Sequence, residues 1–442
     1  MAGAPTCAGW PGEAWQAEAV TTSVLPSRRL SLVVVVVSGA LFVALAVVLV
    51  PWQWVPGGHL VPVRPDQVFS AAEISRAERY SGLQRHLGWA SLAVSFAVSM
   101  LLGLTPIGRA LLGRLRGPWW LRVALGSLVI IAIGVAVTLP FAWRSRQVEL
   151  DYGLTRQPAL GWWHDVGVSL LVTWVSTAIG LLVVIGVARR LPRSWPLWTA
   201  ILAALLAVLG SWVYPVVVEP LFNDFKPMPP GHLRSQIMRL AAKEHVHISD
   251  VLIADASRRT TTLNAYVSGF GSTRRVVVYD NLIQDLPEKE VEVVVAHELG
   301  HAAHQDVLTG TGLGAVGVAF GIGLLGLLLG EKRLLRSSRV TGAGDPVAVA
   351  LLLALMTIGT LAAAPIENTI SRAIEARADR ASLAATGDYR DFVAMQKQLA
   401  VHSLNDPTPP AWSQFWFGSH PTALQRIGMA KALEKGRKPS PS

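Results

Sequence analysis

Seven apolar runs, each nearly free of ionisable groups, constrain this chain more than any other feature. They are Leu30 to Val50, Leu87 to Leu104, Val123 to Trp143, Val166 to Val187, Pro196 to Val218, Leu308 to Leu329 and Val347 to Ala364. A helix needs about 20 such residues to cross the roughly 30 Å hydrocarbon layer, where an unpaired backbone amide has no water to bond. Trp recurs at or near the ends of the runs, at Trp52, Trp89, Trp119, Trp120, Trp143, Trp162, Trp163 and Trp195, and its amphipathic ring favours the headgroup level. The expected fold is mainly α: a polytopic membrane protein with seven transmembrane helices. The first run is too long for the core of a signal peptide, and no clear small-residue cleavage site follows it. The last, Val347 to Ala364, is short and also reads as a buried core helix.

Composition agrees with a membrane class. Of 442 residues, 51% are hydrophobic and 15% charged, too apolar for an average soluble protein. The net charge of +10 does not indicate nucleic acid, because the cations sit in short clusters beside apolar runs, as at Arg28-Arg29 and Arg189-Arg190. Anionic lipid headgroups fit that placement better. The one cysteine, Cys7, excludes an intramolecular disulfide and a cysteine metal site. Any metal must be held by His and carboxylates.

These runs divide the chain. Residues 1–29 read as a disordered tail, 30–218 as a membrane domain of five helices, and 219–306 as a soluble segment. Helices six and seven occupy 307–364, a second soluble segment 365–434, and a disordered tail 435–442. In the first soluble segment, Leu233 to Glu244 has helical spacing and Val251 to Ala254 is a short apolar strand. Arg274 to Tyr279 alternates as a strand after the turn signal Gly269-Phe270-Gly271. Asp285, Pro287 and Glu288 predict a helix start, with the Asp as cap and the Glu reaching back. The two soluble segments flank the sixth and seventh runs, so two crossings return the chain to one side. They can meet there in a small α+β domain.

His297-Glu298-Leu299-Gly300-His301 is an H-E-x-x-H pattern on the predicted helix, and a spacing of four puts both imidazoles on one face. Two neutral imidazoles suit zinc, and Glu298 is placed to take a proton from the attacking water. The flanking Val293, Val294, Val295 and Ala296 argue against a solvated surface helix. Catalytic zinc normally has three protein ligands and an open fourth position. Glu375, in a segment running from Ser371 to Asp379, is the candidate third ligand, and Asp379, one turn later, could hold a ligand imidazole by its other nitrogen. His304 is read as a non-ligand. Read alone, His420 of Ser419-His420-Pro421 has a structural role, and no Ser or Thr has a partnered base.

Together these residues resemble the Ste24-type CAAX prenyl proteases, zinc metallopeptidases of family M48. From about Glu149 the similarity is almost continuous: Glu149 with Gly153, Leu154 and Gln157; Leu221-Phe222-Asn223 with Phe225 and Pro227; Asn264-Ala265-Tyr266; Arg274-Arg275 with Tyr279-Asp280; His297 to His301; Pro365, Asn368, Ser371-Arg372, Glu375 and Asp379; and His420-Pro421 with Arg426. The resemblance implies seven helices enclosing a chamber that a zinc domain closes at one end. It implies one zinc ion per chain on His297, His301 and Glu375, with Glu298 as base and Asp379 supporting a ligand. His420 and Arg426 would help stabilise the tetrahedral intermediate, and Asn264, Ala265 and Tyr266 would pair with the substrate backbone as an added strand. The implied partners are membrane lipids and a peptide or protein substrate, isoprenylated in the CAAX case. The implied location is multi-pass, in the plasma (inner) membrane of a bacterium, with a cytoplasmic zinc domain. Counting Arg and Lys does not support that orientation, since the loops at Arg189 to Arg193 and Lys332 to Arg339 are as basic as those assigned inside. HtpX-like quality-control proteolysis and a catalytically silent membrane scaffold are the alternatives.

Overall fold

The computed structural model describes residues 25–52, 60–269 and 271–437. Most of the two expected tails, Cys7 and Phe270 lie outside the described residues, whereas residues 28–29 already belong to the first helix and 435–437 to the last.

Each of the seven apolar runs is helical, and most of the helices outrun them. The first five spans comprise α1 (Arg28–Leu49), α2 (Ala71–Leu104), then a short α3 (Pro106–Leu112), α4 (Trp119–Tyr152), α5 (Ala159–Arg190) and α6 (Trp195–Val213). The chain winds on beyond α6 through a wider turn at Tyr214–Val218. The predicted run at Leu87 to Leu104 is only the apolar part of α2. Its polar foot starts at a reciprocal cap, where the Glu73 amide donates to Ser70 Oγ at 3.2 Å and the Ser70 amide to Glu73 Oε2 at 2.7 Å. The foot reaches the soluble domain, where Ser81 Oγ donates to the Leu404 carbonyl and Arg85 pairs with Asp406.

The soluble domain holds a four-stranded sheet in the order β1-β2-β4-β3. The strands are β1 (Phe225–Pro227), β2 (Asp250–Ala254), β3 (Ala265–Ser268) and β4 (Arg275–Tyr279), with α7 (His232–Lys243) between the first two. β2 and β4 run parallel, and β1 and β3 are antiparallel edges. Neither edge is legible as an alternating run, because each has only three or four residues. After α8 (Asp280–Asp285) comes the motif helix α9 (Glu288–Ala303). The predicted cap is not made: Asp285 ends α8, Pro287 precedes α9 without a side-chain cap, and Glu288 pairs instead with His232 at 2.8 Å. Glu288 and Glu290 still place negative charge in the first turn, which suits the positive end of the helix dipole. Val276, Val278, Val291, Val295, Leu299, Phe392 and Met395 lie in the domain core.

The sixth span is α10 (Asp306–Leu328), followed by α11 (Lys332–Ser338) and by α12 (Val349–Thr386). The short seventh run proves to be the first half of α12, whose second half carries Glu375 and Asp379. The division drawn between residues 364 and 365 therefore falls within one continuous helix. Pro365 lies inside it and removes one donor, orphaning the carbonyl four residues back. The Trp416 indole fills that vacancy, donating to the Leu361 carbonyl at 3.1 Å. α13 (Tyr389–Ser403), α14 (Ala411–Phe417) and α15 (Ala423–Arg437) complete the chain. The spans bury little against one another, from 6% of the most apolar window of the fifth to 39% of the seventh.

Candidate metal centre

α9 is buried on nearly all sides, with Val291, Val293, Val295, His297, Leu299 and Ala302 among its enclosed residues. It packs against the second half of α12, and Gly300 permits the approach: a Cβ there would stand 3.0 Å from Ala381 Cβ and 3.4 Å from the Ala378 carbonyl oxygen. Ser382 Oγ donates to the Val293 carbonyl at 2.8 Å and ties the same pair of helices. This contact brings Glu375 over the two motif imidazoles.

The Nε2 atoms of His297 and His301 face each other at 3.1 Å. Glu375 Oε2 lies 3.3 Å from His297 Nε2, and its Oε1 lies 3.6 Å from His301 Nε2. One ligand atom from each of the three side chains falls within 4.8 Å of the other two. Glu375 Oε2 is buried with no donor aimed at it. A buried carboxylate oxygen without a donor, beside two converging imidazole nitrogens, is the donor set a small divalent cation completes.

The outer ring nitrogens are held by carboxylates. His297 Nδ1 lies 2.9 Å from Asp379 Oδ1, and His301 Nδ1 lies 2.9 Å from Asp306 Oδ2. A proton on each Nδ1 leaves each Nε2 lone pair pointing inward. Burial opposes charge on His297, yet the carboxylates of Asp379 and Glu375 beside it outweigh burial and raise its pKa. Both carboxylates are anchored in turn: Arg426 grips Asp379 with two nitrogens, Nε at 2.7 Å, and Arg377 grips Asp306.

The remaining predicted residues fall in distinct places. Glu298 is partly buried beside the cluster, and burial raises its carboxyl pKa. His420 Nε2 approaches Glu375 Oε1 at 3.3 Å from a largely exposed position. Arg426 lies on the outer side of His297, 3.4 Å from Nδ1. His304 ends α9 with its Nδ1 2.8 Å from the Gly300 carbonyl and takes no part in the cluster. Asn264, Ala265 and Tyr266 lie at β3, which packs on α9, and hydrogen-bond to none of the three ligands. Asn264 Oδ1 accepts from the Ala265 amide at 2.9 Å. Asp306 and Arg377 were missed by sequence reasoning. The signal was an acid just past the motif, but the left-handed Gln305 (φ 56°) reverses the chain there and hides it from helical periodicity.

Residues 227–434 match the model of peptidase family M48, and residues 57–224 match a model described as CAAX prenyl protease N-terminal, five membrane helices. Similar proteins include the uncharacterised metalloprotease YhfN of Bacillus subtilis, 27% identical over 84% of this chain and 88% of that one. A CAAX prenyl protease 1 homolog of Arabidopsis thaliana is 30% identical over 65% of this chain and 68% of its own length. The chain belongs to family M48, among the Ste24-type CAAX prenyl proteases. Its fold agrees with the crystal structure of S. mikatae Ste24p, with a TM-score of 0.75 and 18% identity over 91% of this chain and 99% of that one. The resemblance read from the motifs is thus borne out, as is a mainly helical, multi-pass fold with a metallopeptidase domain. Membership of a metallopeptidase family implies a metal, and the cluster of His297, His301 and Glu375 has the donor chemistry to hold one.

Proposed function

We propose that this M48 member is a zinc-dependent endopeptidase whose single zinc ion is held by His297, His301 and Glu375. The observation that carries the reading is the convergence of two imidazole Nε2 atoms on a buried carboxylate oxygen without a donor, each Nδ1 being fixed by a carboxylate. Bound zinc would polarise the scissile carbonyl and lower the pKa of a water toward about 7.

The chain's own residues supply the rest. Glu298 follows His297 and is raised in pKa by burial, which suits a group that takes the proton of the attacking water and passes it to the leaving amine. Asp379 and Arg426 hold His297, and Asp306 and Arg377 hold His301. His420, on the exposed side of Glu375, would donate to the oxyanion that develops on the carbonyl. Arg426 is engaged with Asp379 behind His297, so its support for the oxyanion acts through that carboxylate.

β3 offers the substrate an edge. The Tyr279 amide donates to the Asn264 carbonyl at 3.0 Å, beside the pair Ala265 and Val278. In an antiparallel ladder this phase turns the peptide groups of Tyr266 toward β4 and those of Ala265 and Val267 toward the open edge. An extended peptide can add there as a further strand. The finer substrate reading is trimming of the C-terminal residues of isoprenylated proteins, supported by the relatives named CAAX prenyl proteases.

The test compares Glu298→Gln with His297→Ala on a model farnesylated peptide and on an unmodified one. Glu298→Gln is expected to keep its zinc and lose about 100-fold or more in turnover, whereas His297→Ala loses both. Near-normal cleavage by a zinc-loaded Glu298→Gln protein contradicts the assignment of the base. Equal cleavage of the two peptides contradicts the prenyl reading alone.

A further inference from the structure

Segments far apart in the sequence enclose a cleft of about 590 Å³ beside the metal centre, a volume in the range of ligand pockets. Pro65 ahead of α2, Pro407 and Pro409 ahead of α14, Phe415 of α14 and Leu424 of α15 give it apolar walls, and Arg372 of α12 lines it too. Arg372 stands three residues before the ligand Glu375, about 4.5 Å along the same helix, a spacing that puts both on one face. From the other side, Arg372 Nη1 donates to the Gly418 carbonyl at 2.6 Å. Gly418 is two residues, at most about 7 Å of chain, from His420, whose Nε2 meets Glu375.

The cleft carries unbalanced charge. None of its lining residues is an Asp or Glu. Its other lining cation, Arg64, is paired with Asp66, and the neighbouring Asp406 is taken by Arg85. Arg372 has only neutral partners among the described residues. Nη1 donates to the carbonyls of Gly418 and, at 3.1 Å, Gln414, while Nη2 donates to Thr369 Oγ1 at 2.9 Å. A guanidinium has five N–H donors, so Nε and one donor on Nη2 are left without a protein acceptor. Adjacent donors of this kind grip a carboxylate with two parallel bonds. A half-buried cation without a counter-ion is unfavourable, and an anion brought by a ligand offsets that cost.

We propose that this cleft receives the substrate residues that follow the cleaved bond, and that Arg372 binds the free C-terminal carboxylate. The inference rests on the zinc endopeptidase reading of His297, Glu298, His301 and Glu375 and adds the residue that selects a chain end. An extended peptide covers about 3.3 Å per residue, so about three residues carry a terminal carboxylate roughly 10 Å from the metal toward Arg372. Apolar side chains on those residues meet Pro407, Pro409 and Phe415. A bond far from the end of a chain brings no charge to Arg372, so short C-terminal tails are preferred over internal sites.

The test uses three forms of one farnesylated peptide: a free acid ending three residues after the modified cysteine, its C-terminal amide, and an acid lengthened by four residues. Binding is read by anisotropy of a label at the peptide N-terminus, on zinc-loaded Glu298→Gln protein, so no outcome depends on turnover. Cleavage of the same peptides by the unaltered protein reads the protease assignment separately. The short acid is expected to bind at least about tenfold more tightly than the other two forms. Arg372→Gln, added to Glu298→Gln, is expected to bring all three to the affinity of the amide, and Arg372→Lys to recover part of the difference. Equal binding of the short acid and the amide overturns the proposal. Equal weakening of all three forms by Arg372→Gln overturns it as well, since that is the result of anchoring the Gln414 to Gly418 segment alone. The comparison of acid with amide needs no substitution at Arg372, and it decides the matter should that variant misfold.

Discussion

His297 and His301 differ from ordinary core histidines in having both ring nitrogens assigned. Each Nδ1 meets a carboxylate at 2.9 Å, and each Nε2 points into the cluster. Removing the charge while keeping the shape of those carboxylates isolates the orienting role. Asp379→Asn and Asp306→Asn are each expected to weaken zinc binding about 10- to 100-fold, measured by competition with a chromophoric chelator. Unchanged affinity in Asp306→Asn would mean that His301 is held by packing alone. At this scale the sequence was legible for His297, Glu298 and His301, because a spacing of four is a property of one helix. It was blind to Asp306 and Arg377, whose meeting depends on a chain reversal at Gln305 and on a second helix 71 residues further along.

The element that matters most is α12. Its apolar half read as a short span and its polar half as a separate segment, because hydropathy changes at Pro365 and a proline usually marks a helix boundary. The helix continues because the Trp416 indole bonds the carbonyl that Pro365 leaves unpaired, a contact 55 residues distant that no local pattern reveals. One rigid helix therefore connects the membrane to Glu375. Its crossing with α9 depends on Gly300, where a larger side chain meets Ala381 and the Ala378 carbonyl. Gly300→Val is expected to cost about 1–3 kcal/mol by overpacking and to lower zinc affinity by shifting Glu375. Thermal unfolding in detergent together with metal titration checks both effects, and a variant with native zinc affinity would show that the close crossing does not set the ligand distance. The sheet edges were illegible for a simpler reason: strands of three or four residues are too short for alternation to register.

Across the whole molecule, hydropathy and length predicted seven spans, and the parity of crossings required the two soluble segments to share a side. The contact of Glu375 with both imidazoles bears out that requirement. What parity could not foresee is how the first extramembrane connection closes onto the same domain. The Val63 amide donates to the Leu424 carbonyl at 3.1 Å, and a Cβ at Gly428 would stand 2.0 Å from the Val61 carbonyl oxygen. Residues 60–63 thus lie directly across α15, two residues from Arg426. Gly428→Ala is expected to lift this strap and destabilise the protein by about 1–3 kcal/mol, seen as a lower unfolding midpoint and faster proteolysis near residue 61. An unchanged midpoint and digestion pattern would show that the strap is free to move.

Convergence of helices from either side of two membrane crossings on one ion is tested most directly by the zinc content of purified Glu375→Ala beside that of the unaltered protein. The unaltered chain is expected to carry one zinc, and Glu375→Ala, with its H-E-x-x-H helix intact, far less than one. Full zinc occupancy in Glu375→Ala would contradict the account, since the two imidazoles would then hold the metal without α12.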